Sequence, residues 1–164
     1  MCVDMGTGTP PVPKWRGPLP WDTARALSQE NVEIIRRMYQ AWNRSGGVPQ
    51  LEWIDPEIEV DVPAGGLLEG TYRGHVGLSK FLESFWDAFE DHHIEIEECI
   101  PAGDDLLLTV HYYGRGKSSG VEVNLRDWHI WTLRDQKAVR WRIVNTREEA
   151  LEAVGLSEQD AHAD

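Results

Sequence analysis

Three observations predict an α+β domain. Apolar residues recur at helical spacing in the first half of the chain, long alternating stretches fill the second half, and turn residues separate those stretches at hairpin distances. Ser28, an N-cap residue type, opens a helix in which Val32, Ile35, Met38, Tyr39 and Trp42 share one face until Gly46-Gly47. A short helix follows over 48–53 and is stopped by Asp55-Pro56. A strand over 57–62 then ends at Pro63, and Gly65-Gly66 and Gly70 mark a loop. Leu78, Phe81, Leu82, Phe85 and Phe89 form the stripe of a second long helix over 75–89. Strands are expected over 93–100, 105–115, 121–134 and 137–146, as consecutive antiparallel hairpins. A short closing helix over 147–154 is stopped by Gly155, and a polar tail covers 157–164.

One domain of 28–156 is expected, because 164 residues suffice for a single core. Five of the nine prolines lie in the first twenty residues, so 1–27 reads as an irregular arm carrying Trp15 and Trp21. The net charge of −12 disfavours nucleic acid and anionic membrane surfaces as partners. With no signal-like leader and no apolar run of spanning length, a cytoplasmic protein is expected. Cys2 and Cys99 lack metal-type spacing and read as reduced thiols.

The chemistry concentrates in the strand over 121–134. One face reads Val121, Val123, Leu125, Asp127, His129, Trp131, Leu133, an apolar row interrupted by two ionisable side chains. A carboxylate and an imidazole on such a face need partners or a cavity. Neighbouring positions on one face lie about 6.6 Å apart, so Asp127 is within reach to orient or charge His129 as an acid/base pair. On the next strand Val139, Trp141, Ile143 and Asn145 share the apolar face. On the strand before, Leu107, Thr109, His111 and Tyr113 share one side and Leu106, Leu108, Val110 and Tyr112 the other, and alternation leaves both orientations open. Eight tryptophans, Trp42, Trp131 and Trp141 among them, suit an aromatic pocket or plain packing. His92, His93, Glu95 and Glu97 read as a solvated edge, and no metal or other cofactor is expected.

Tyr39-Gln40-Ala41-Trp42-Asn43, Asp55 to Val60, Tyr72-Arg73-Gly74-His75, His129 to Asp135 and Arg147 to Leu151 resemble the SnoaL-like, polyketide cyclase-like branch of the NTF2-like superfamily. The resemblance implies a cone: three helices packed in a strongly curved, mainly antiparallel sheet around a pocket. Against ketosteroid isomerases it puts Asp61 near their general base and His129 near their oxyanion-hole acid, with Met38 where a tyrosine is expected. Alternation, in contrast, leaves Asp61 outside the cone, because Ile58, Val60 and Val62 form the apolar face of its strand. Against limonene-epoxide hydrolases the catalytic Arg and Asp positions hold His111, Tyr113 and Ile143, which speaks against that reaction and turns His111 and Tyr113 inward.

The expected function is cofactor-free proton abstraction beside a carbonyl of an apolar, polycyclic or aromatic substrate. Asp127, His129 and Asp61 are the catalytic candidates, and His111, Tyr113, Asn145, Trp42, Trp131 and Trp141 the substrate-binding ones. The alternative is a binding or dimerisation module in which Asp127 and His129 satisfy only each other. A homodimer is expected from the mixed Trp128/Ile130 face, which is too apolar for a solvated sheet surface.

Overall fold

The structure is a computed structural model that describes residues 20–65 and 68–161, with side chains from Leu27 onward. Cys2, Trp15 and the side chain of Trp21 lie outside the described residues, as do Gly66 and the last three positions. Helix α1 spans Pro20–Ser45, eight residues more at its start than Ser28 implied. Proline fits the first helical position, where its missing N–H costs nothing, and the residues after it contain no breaker. The arm is therefore helical over its last part. At the other end, Gly46 and Gly47 both donate to the Trp42 carbonyl at 3.0 Å, with φ of 76° and 93° that only glycine adopts freely.

A single 3-10 turn, Leu51–Trp53, leads into β1, Ile54–Val62. The expected loop contains a short strand, β2, Gly70–Arg73, which pairs antiparallel with β1. Helix α2 spans Gly74–Ala88 and buries Leu78, Phe81, Leu82 and Trp86. Strands β3 (Phe89–Ala102), β4 (Asp105–Gly116), β5 (Glu122–Arg134) and β6 (Lys137–Val144) follow as antiparallel hairpins. The sheet order is β2-β1-β6-β5-β4-β3, and only β1 with β6 is parallel. Register shifts within the β3–β4 and β5–β6 ladders mark where paired strands bend.

The sheet curves around α1 and α2. Its concave face, with both helices, forms the main core, in which Trp42, Trp131, Ile35, Met38 and Ile58 are fully buried. A smaller core lies on the convex face, where Leu107 and Ile130 are covered by Ala150 and Leu151 of α3, Arg147–Ala153. Thr146 caps that helix by accepting from the Glu149 amide at 3.1 Å. The polar tail contains one further turn, α4, Glu158–Ala161. Ile130 is thus buried within the chain, and the apolarity that motivated a dimer through this face is taken up by α3. Among the described residues no helix is long and apolar enough to cross a membrane.

Candidate functional site

An apolar funnel opens between α2 and the concave face of the sheet. Its mouth, about 210 Å³, is bordered by Val62, Pro63, Phe89, Val123, Leu125 and Asn145. Its narrow bottom, about 40 Å³, is bordered by Trp42, Trp86, Ile94, Val110, His129 and Trp141. Phe81, Phe85, Tyr112, Asp127 and Ile143 belong to both. Asp127 therefore stands at the waist and His129 at the bottom, as neighbours on one face of β5. A larger open groove, about 910 Å³, runs between the start of α1 and the turns before β4 and β6. Its Asp104 and Asp135 are exposed turn residues, and its Arg134 is the exposed end of β5. The funnel is where titratable groups meet apolar walls.

Asp127 accepts no hydrogen bond from any described residue, and burial pushes its carboxyl above the usual range. A group so placed holds its proton more tightly and is a stronger base once ionised. His129, 4% exposed, is pushed by burial down to about 3, so the ring is neutral. Its partner is Tyr39 rather than Asp127: the Tyr39 hydroxyl lies 2.5 Å from His129 Nδ1 and accepts the Trp131 Nε1–H at 2.9 Å. The expected charging of the imidazole by Asp127 does not occur. The mutually satisfied pair of the binding-module reading is absent as well.

Tyr39, part of the apolar stripe of α1, is the residue that sequence reasoning missed. Met38, which stands where the resemblance expects a tyrosine, is fully buried. The signal was available, since a buried tyrosine hydroxyl requires a partner and few inward polar groups were on offer.

Three candidates stand outside the funnel. Asp61 lies on the opposite face of β1, where it accepts from Thr71 at 3.1 Å and from Arg140 at 2.7 and 3.0 Å. Alternation of Ile58 and Val60 dictates this side. His111 and Tyr113 also face outward, correcting the orientation implied by the resemblance. The β4–β5 register pairs Val110 with Asp127 and His111 with Arg126, and directly paired residues share a face. Tyr113 donates to His111 Nδ1 at 2.9 Å, and His111 Nε2 donates to Asn124 at 2.5 Å.

The remaining candidates divide among wall, rim and backing. Trp42 and Trp141 wall the bottom, and Asn145 sits at the rim. Trp131 stands behind Trp141, stacked at 4.7 Å, and contributes its N–H rather than a wall. His92 is half-buried rather than part of a solvated edge. It stacks on Trp86 at 5.1 Å and pairs with the Tyr112 hydroxyl at 3.1 Å, bracing the funnel from outside.

The SnoaL-like domain model matches residues 35–141, which include α2, β1 to β5, Asp127 and His129. The chain belongs to the SnoaL-like family. Its structural relatives place this SnoaL-like chain on the NTF2-like fold. TerC, solved with polyporic acid, is 25% identical with a TM-score of 0.63, covering 76% of this chain and 98% of TerC. A candidate SnoaL-like polyketide cyclase from Jannaschia sp. CCS1 is 15% identical with a TM-score of 0.64, covering 87% and 99%. A protein of ketosteroid isomerase-like fold from Catenulispora acidiphila, solved with trimethylamine, is 17% identical with a TM-score of 0.62, covering 76% and 94%. Comparison with curated proteins finds no match.

Proposed function

We propose that this SnoaL-like protein is a cofactor-free acid–base enzyme that removes a proton next to the carbonyl of a small aromatic substrate. The observation that carries the reading is the Asp127 carboxylate, unpartnered among the described residues, at the waist of an apolar funnel. Asp127 takes the proton. The neutral His129 ring, one position deeper on the same face, stabilises the oxygen on which negative charge develops. The likeness to TerC, a protein solved with polyporic acid, supports a small-molecule site. Of the polycyclic or aromatic substrates expected, the volumes of about 210 and 40 Å³ favour a one- or two-ring aromatic one, since sites enclosing drug-sized ligands run to ~300–1,000 Å³.

The test uses 2-tetralone, a two-ring aromatic ketone, in D₂O. NMR follows loss of its α-protons in the presence of wild-type protein, Asp127→Asn and Asp61→Asn. Wild type and Asp61→Asn should exceed the buffer rate equally, and Asp127→Asn should fall by about 100-fold or more. Equal rates for wild type and Asp127→Asn would refute the assignment. Saturable binding without exchange would return the protein to the binding-module reading.

A further inference from the structure

The hydrogen-bond chain from Trp131 through Tyr39 to His129 has only one self-consistent direction. An indole N–H can only donate, so the Tyr39 oxygen accepts from Trp131. Burial keeps the Tyr39 phenol protonated, and among the described residues the acceptor within reach of its hydrogen is His129 Nδ1. Placing the imidazole proton on Nδ1 instead would leave a buried hydroxyl hydrogen without a partner. The neutral ring therefore carries its proton on Nε2, which has no partner among the described residues, and the ring borders the bottom of the funnel. The rings of Trp42 and Trp141 border the same space, and their indole N–H groups are buried without an acceptor among the described residues.

We infer that the funnel bottom is a subsite for a hydrogen-bond-accepting oxygen of an aromatic ligand, a ketone carbonyl or an oxyanion, and that Tyr39 is the positioning residue that fixes His129 as a donor. Among the described residues the one carboxylate that borders the funnel, Asp127, stands at the waist, one face position above His129. This inference rests on the funnel being the functional site but does not require any reaction to occur in it. Tyr39 acts through His129 and touches no ligand.

The test has a spectroscopic arm and a binding arm, both on the full chain. With ¹⁵N-labelled histidine, long-range proton–nitrogen spectra distinguish a protonated ring nitrogen from a bare one, and the spectrum of His129→Gln identifies the His129 signals. Wild type should show His129 protonated on Nε2 and bare on Nδ1 at neutral pH. In Tyr39→Phe the two nitrogens should move toward averaged positions as the tautomers mix. A wild-type ring protonated on Nδ1 overturns the inference even if the variant does not fold, and so does a folded variant with an unchanged spectrum.

The binding arm compares acetophenone with α-methylstyrene, two molecules of the same shape that differ by C=O against C=CH₂, by quenching of tryptophan fluorescence. Wild type should prefer acetophenone by about fivefold or more, and the preference should shrink in Tyr39→Phe. Equal affinities, or no saturable binding of either, overturn the ligand assignment. The ratio of exchange rates between wild type and Asp127→Asn reports on the base, and the spectra report on the tautomer, so failure of the catalytic reading and failure of this one are distinguishable.

Discussion

Replacing His129 by glutamine should make the protein less sensitive to acid, and the size of the change follows from burial of the ring. In the folded chain His129 gains a proton only at about 3, against 6.5 for a free imidazole. Because the folded value is the lower one, the unfolded chain binds the proton first, so stability is lost as pH falls through 6.5 and the loss ends near 3. At ~1.4 kcal/mol per pH unit the whole window amounts to about 5 kcal/mol, comparable to the total stability of many domains. About half of it should be spent by roughly pH 4.5. Glutamine does not titrate, and its amide oxygen can accept from Tyr39. The assay is urea unfolding of wild type and His129→Gln from neutral to acid pH, with the difference between the two curves cancelling the carboxylates common to both. The wild-type curve should fall away from the variant by about 1 kcal/mol or more for each pH unit below 6.5. Parallel curves would refute the reasoning, since they would mean that the imidazole is hydrated or charged in the folded chain.

Asp127→Asn should stabilise the protein at neutral pH while removing the proposed proton exchange. The carboxyl is pushed above 3.8, so ionising it costs stability as pH rises past that value, and an amide carries no such cost. Thermal melts should show a gain near neutrality that disappears below 3.8, and a loss at neutral pH would contradict this. Gly47→Ala should be strongly destabilising, by about 2 kcal/mol or more, because φ is 93° and the new Cβ would lie 2.7 Å from Trp86 Cδ2, in a wall of the funnel. Gly65→Ala, with φ of 83° and open space around its Cβ, should cost only about 1 kcal/mol, and equal chemical-denaturation midpoints for the two variants would count against the steric argument.

The fold was legible because its signals are local. The stripes of both long helices and the alternation of the hairpin strands survive in the structure, and Asp127 and His129 do border an interior space as the face of β5 required. The errors came where a local signal was silent or was set aside. Alternation alone places Asp61 outside the cone, and the resemblance that drew it inward does not hold at that position. On β4, alternation was balanced, and counting back from a loop over 116–120 would have paired 115 with 121 and set His111 opposite Leu125, on the inward face. The structure pairs Arg115 with Glu122, one residue further on, which sets Val110 opposite Asp127 and turns His111 outward. Tyr39 escaped because a tyrosine in an apolar helix stripe reads as packing until the partner of its hydroxyl is asked for. The start of α1 and strand β2 lay in proline- and glycine-rich sequence, whose composition signals breaks and conceals the short regular segments between them.

The relay joins residues 90 positions apart, one on the first helix and two on the penultimate strand. Contacts of such sequence separation form late, after the long intervening loop has been closed. A partly folded chain, a nascent one still lacking β5, or a fragment without α1 would thus have no defined imidazole tautomer. Reactivity, on this reading, is withheld until the whole architecture is complete.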